Sequence, residues 1–241
     1  EQMPQLKTVN MYNKRLKLSE VAGIFEKHPE VELGLTIQIN QSHTIRTDMT
    51  AYSTLGRQPQ ISKAQTRYFT YLKHLKALDI GHMNIYSADF LKDCSKLKIL
   101  IIADCALRDI DALSGQTELE YLEVFKNYIS DLTPLSGMTK LKDLNLGYCQ
   151  ITDLSPIYDL PNLERVWLMG NWYLSDDSNT NLANWEKGDW HFIDEIPTNE
   201  MARVKEQYAD QYVVAPYAGT YYVCWNINED ILPASAGCSK G

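Results

Sequence analysis

One feature constrains the fold of this chain more than any other. A leucine followed by an apolar residue three positions on and another five positions on recurs at a constant interval. The sets are Leu75/Leu78/Ile80, Leu97/Leu100/Ile102, Leu119/Leu122/Val124, Leu141/Leu144/Leu146 and Leu163/Val166/Leu168, spaced by 22 residues each time. Such a period marks a stacked array, because no single unit can bury its own apolar face.

Position by position, the unit explains itself. Positions 4 and 6 alternate with polar neighbours, as a short half-buried strand requires. Position 9 holds Cys105, Asn127, Cys149 and Asn171. An amide there can satisfy backbone groups where the chain leaves the strand, and cysteine is a small buried substitute. Positions 11 and 14 are apolar again, as in Ile129/Leu132 and Ile151/Leu154. Asp109, Asp131 and Asp153 at position 13 suit turn capping. Pro134 and Pro156 at position 16 prevent a long helix, so the return leg is expected to be a turn or 3₁₀ segment.

These units, LEYLEVFKNYISDLTPLSGMTK and LKDLNLGYCQITDLSPIYDLPN among them, resemble the leucine-rich repeats of the internalin type. With LKTVNMY near the start and LKALDIGHMNI, the longer run is similar to clostridial leucine-rich-repeat proteins whose roles are largely unassigned. The resemblance implies an α/β leucine-rich-repeat solenoid with a parallel concave sheet and a short 3₁₀ or turn convex side. It also implies an exported, cell-surface or secreted bacterial protein.

The flanks read as caps. At the N-terminal side, Leu6, Val9, Met11 and Leu16 imitate a repeat strand. Val21, Ile24 and Phe25 sit at helical spacing, and Val31 to Ile39 alternates as a strand, giving β-α-β. Residues 40–61 are polar and turn-rich. Ser62 with Gln65 forms a capping box before a short helix bearing Tyr68, Phe69 and Leu72. Beyond the repeats, Met201, Val204, Tyr208 and Tyr212 fit one helix face, and 220–225 reads as a strand. The divisions are thus a cap and linker at 1–74, five repeats at 75–173 and an α+β capping segment at 174–241.

Charge narrows the partners. The net charge is −8, and from Tyr173 onward 11 acidic residues face 4 basic ones. A chain without a basic stripe is poorly suited to nucleic acid or to anionic membranes. No stretch is long and apolar enough to span a bilayer. The start at Glu1, with neither Met nor an apolar leader, reads as trimmed by a signal peptidase or in cloning. Five cysteines form neither a disulfide framework nor a metal motif, and a Cys224–Cys238 bridge stays open. The five histidines lie in no zinc or nucleophile motif, and Asp176 to Asn181 lacks the glycine and closing glutamate of a calcium loop. No cofactor and no catalytic constellation is expected.

The informative surface is the concave face. Positions 3, 5 and 7 point away from the repeat core, and positions 8 and 10, which add His82, Asp104, Tyr128 and Trp172, lie at its edge. They place Asp79, Ile99, Ile101, Tyr121, Glu123, Phe125, Lys126, Asp143, Tyr148, Arg165, Trp167 and Met169 on one side. An exposed strip of this kind marks an interaction site. The first reading is a monomeric, non-enzymatic module that binds a protein there, the charged members setting register. Glycan stacking on the rings and a ligand-free spacer are the alternatives. In a competing reading, one of the flanks folds over the strip and makes it core.

Overall fold

The computed structural model describes residues 5–41, 43–54, 61–168, 171, 213–217 and 220–224. Its strands are β1 (Thr8–Leu16), β2 (Glu32–Gln38), β3 (Thr44–Arg46), β4 (Ala51–Ser53), β5 (Ala77–Asp79), β6 (Ile99–Ile101), β7 (Tyr121–Glu123), β8 (Asp143–Asn145), β9 (Arg165–Trp167), β10 (Val213–Tyr217) and β11 (Thr220–Cys224). The α-helices are α1 (Leu18–Lys27) and α2 (Lys63–Thr66).

Strands β4 to β9 form a six-stranded sheet in sequence order, and every pairing is parallel. From β5 onward the register advances by one repeat per strand: Ala77 pairs with Ile99, Ile99 with Tyr121, Tyr121 with Asp143 and Asp143 with Arg165. The chain climbs one strand per unit and returns through 3₁₀ turns at Asp89–Asp93, Asp111–Leu113, Thr133–Leu135 and Ser155–Ile157. Pro134 and Pro156 open the last two, where proline's fixed φ and missing N–H cost nothing. Asp131 and Asp153 accept the backbone N–H of Thr133 (2.8 Å) and Ser155 (2.9 Å), as the turn chemistry of position 13 requires.

The core lies between the sheet and these turns. Leu97, Leu100, Ile102, Leu119, Leu122, Val124, Leu141, Leu144 and Leu146 are all fully buried. Position 9 stitches the units together. Asn127 accepts the backbone N–H of Cys105 (3.1 Å) and Leu107 (3.0 Å) and donates to Ile102 O (2.9 Å) and Val124 O (2.8 Å). Asn171 repeats this with Ile151 N, Leu146 O and Leu168 O. The thiols of Cys105 and Cys149 keep the backward bond, to Ile80 O and Val124 O, each at 3.3 Å, and Cys105 also reaches Ala103 O at 3.3 Å. Cysteine thus stands in for the donor half of asparagine.

The N-terminal part has its own sheet, β1-β2-β3, with β1 parallel to β2 through α1 and β3 antiparallel to β2. This is the expected β-α-β, with one further strand. Gly34 of β2 is required by close approach: a Cβ there would collide with the side chains of Asn10 and Tyr12. The expected capping box is present, with the Ser62 N–H donating to Gln65 Oε1 at 2.9 Å.

Two differences stand out. The polar stretch after residue 40 contains β3 and β4, and β4 is the first strand of the repeat sheet. Tyr52 occupies the place of the repeat leucine, paired with Leu78. The offset there is 26 residues rather than 22, so the periodicity conceals it. Near the C-terminus, the strand expected at 220–225 is β11, paired antiparallel with β10. The helix expected on Met201 to Tyr212, Cys238 and the acidic loop at 176–181 lie outside the described residues.

Candidate functional site

The strands place the expected site residues side by side. Positions 3 and 5 project to the side opposite the buried leucines, since successive side chains of a strand alternate. β5 contributes Asp79, β6 Ile99 and Ile101, β7 Tyr121 and Glu123, β8 Asp143, and β9 Trp167. These strand positions therefore share one side of the sheet.

Exposure is where the structure departs from that reading. Ile99 is 2% exposed, Ile101 0%, Tyr121 5% and Trp167 3%. Asp79, Glu123 and Asp143 are buried with them. These side chains, expected to meet solvent, are buried. The physical reason is ordinary: a face of isoleucine, tyrosine and tryptophan gains from leaving water. The side chains of Arg165 and Met169 lie outside the described set.

Buried carboxyl groups are the unusual element of this face. Asp79 accepts the N–H of Gly81 (3.2 Å) and the hydroxyl of Ser53 (3.1 Å), yet desolvation pushes its pKa up to about 6. Glu123 accepts the Tyr121 hydroxyl at 2.9 Å, and desolvation pushes it up to about 8. Among the described residues no group of histidine, cysteine, aspartate and glutamate side chains is arranged to hold a metal ion. Cys94, Cys105 and Cys149 are buried free thiols with pKa values pushed up by desolvation to about 12, 12 and 11, far from a nucleophile's.

The accessible part is the edge where the chain leaves each strand. Position 8 takes the left-handed conformation in four successive units, with φ of 61° at His82, 51° at Asp104, 55° at Lys126 and 52° at Tyr148. That turn lets the backbone bond to the next unit, as in Lys126 N to Gly147 O at 2.7 Å, and throws the side chain outward. His82 and Lys126 flank Asp104 at 3.2 and 3.1 Å. Tyr148 sets its ring edge against half-buried Phe125, centroids 5.3 Å apart. Arg108 lies over the Tyr128 ring at 5.8 Å. Tyr86, Tyr128 and Tyr148 are 55%, 53% and 46% exposed, large values for such rings. Of the expected site residues, Phe125, Lys126 and Tyr148 belong to this accessible edge. Tyr128, read from the sequence as an edge residue at position 10, joins them, as do Tyr86 and Arg108 at position 12, where the repeat pattern carries no apolar signal.

A family model of leucine-rich repeats in two copies matches residues 117–156 and 139–184. The fold is that of an internalin-like leucine-rich-repeat protein. An internalin from Listeria monocytogenes superposes with a TM-score of 0.52 at 23% identity, over 78% of this chain and 56% of its own. A leucine-rich-repeat protein of Leptospira interrogans does so with a TM-score of 0.51 at 19% identity, over 78% of this chain and 49% of its own. The leucine-rich-repeat chain described here spans about half the length of these two proteins. A search of curated proteins finds no match. Among the described residues no helix is long and apolar enough to cross a membrane.

Proposed function

We propose that this chain is a non-enzymatic recognition module, exported or held at a bacterial cell surface, that binds a protein partner through the concave side of its sheet and the edge beside it. Leucine-rich-repeat folds are commonly protein-interaction modules, and solenoids offer extended concave surfaces for the purpose. The observation that carries the reading is the accessible row of Arg108, Lys126, Tyr128 and Tyr148, with Phe125 behind it. Tyrosine and arginine dominate binding energy at interfaces. First contact falls on this edge, and the closed strip of Ile99, Ile101, Tyr121 and Trp167 lies directly behind it.

Affinity capture from surface extracts, with wild type and a Tyr128→Ser/Tyr148→Ser variant, tests the reading. Circular dichroism checks that the variant is folded. A protein retained by wild type and lost by the folded variant is the expected result. Equal retention by both removes the edge from the site. Binding that survives protease treatment of the target but not deglycosylation would move the reading to glycans, and capture by neither form would favour a spacer.

A further inference from the structure

Three carboxyl groups lie buried on the concave side: Asp79 on β5, Glu123 on β7 and Asp143 on β8. A face that served only as core would be more stable with aliphatic side chains there, because burying a carboxyl without full hydrogen bonding is costly. Glu123 is the clearest case. It is 0% exposed, the Tyr121 hydroxyl satisfies Oε2, and Oε1 has no hydrogen-bond partner. No lysine, arginine or histidine forms a salt bridge with it among the described residues. A metal ion does not fit either, since the described residues supply no group of ligands.

We infer that the concave face receives a lysine or arginine side chain of the protein partner, its charge set against Glu123 beside the rings of Tyr121 and Phe125. The inference rests on the recognition reading above and names the partner's chemistry. Glu123, Tyr121 and Phe125 occupy alternate positions along one strand and its continuation, so the carboxylate and both rings share a side. An organic cation arriving between them displaces the Glu123 proton to solvent, and then gains the ion pair and the attraction of the ring faces. Asp79 stands two strands away, roughly 9.6 Å at the usual strand spacing. An extended segment crossing the strands rises about 3.1–3.4 Å per residue. Basic residues three apart therefore reach both acids. Glu123 and Tyr121 are buried in the chain alone, so a bound segment takes the place of the contacts that bury them.

The test measures fluorescence anisotropy of a labelled Lys-Ala-Ala-Lys-Ala-Ala-Lys peptide with the full chain at 0.1 M salt. Saturable binding is expected, weakened at least tenfold by Glu123→Gln. The convex-side variant Asp131→Asn/Asp153→Asn, which removes two exposed charges, is expected to bind within twofold of wild type. Absence of binding, or equal weakening by both variants, overturns the inference, the latter showing diffuse attraction to an acidic chain. If Glu123→Gln loses its folded circular dichroism spectrum, Asp79→Asn carries the same expectation and the same overturning results. A protein partner captured through the edge but indifferent to Glu123→Gln leaves the recognition reading standing and removes this one.

Discussion

Tyr121 donates its hydroxyl proton to Glu123 across 2.9 Å, and both side chains are buried on the concave side of the same strand. A single neutral donor does not compensate the loss of water around a carboxylate, so Glu123 holds its proton up to about pH 8. This has a consequence for the whole fold.

Glu123 binds its proton more tightly folded than unfolded, with about 8 replacing 4.5, and Asp79 does the same with about 6 replacing 3.8. For such raised acids the contribution is complete below the unfolded value and is lost as pH rises through the folded one. Thermal melts should therefore show Tm falling between pH 5 and pH 8.5, with both acids contributing up to about pH 6 and Glu123 alone above it. Glu123→Gln, which never ionises, should flatten the upper part. An unchanged slope in that variant would mean that Glu123 does not titrate as its burial demands.

Asn127 serves two N–H groups and three carbonyls that belong to successive units. Asn127→Ala strands buried backbone groups of Cys105 and Leu107, at a cost of about 3 kcal/mol. Asn127→Cys, which restores the backward bond seen at Cys105 and Cys149, should recover part of it. Urea unfolding of the two variants measures the difference. Equal midpoints would show that the backward bond contributes nothing.

Lys126 has φ of 55°, a conformation in which a Cβ is crowded. Lys126→Gly should be neutral or stabilising by up to about 1 kcal/mol, while Lys126→Val, branched at Cβ, should destabilise by about 1–2 kcal/mol. The ordering of the two unfolding midpoints decides the point. A valine variant as stable as the glycine variant would count against backbone strain at position 8.

Cys94, Cys105 and Cys149 combine burial with raised pKa values. Each should resist a thiol reagent at pH 8 in the folded chain and react promptly in denaturant. Mass spectrometry of the labelled peptides reads this residue by residue. Labelling of Cys105 at the unfolded rate without denaturant would place it outside the stitch of position 9.

Much of the fold was legible in the sequence because a repeat averages out local ambiguity. Leu97, Leu100 and Ile102 alone fit a strand or a helix, but five such sets at one interval admit only stacked strands. The 3₁₀ returns followed from Pro134 and Pro156, and the asparagine ladder from Asn127 and Asn171. The first strand of the sheet was not legible, because Tyr52 replaces the leucine and stands 26 residues before Leu78 instead of 22. For the site, the shared face of Asp79, Glu123, Asp143 and Trp167 follows from strand alternation alone.

Whether that face meets water is a different kind of question. Alternation fixes which side of a strand a residue occupies, a local property set by backbone geometry. Accessibility depends on what else in the chain comes to lie there, over separations that no spacing records. So the sequence by itself determined the repeat, the strands and the membership of the concave row. Only the tertiary structure decided that Ile99, Tyr121 and Trp167 are buried, while Lys126, Tyr128 and Tyr148 stand in solvent. The left-handed turn at position 8 projects Lys126 and Tyr148 from the edge into solvent.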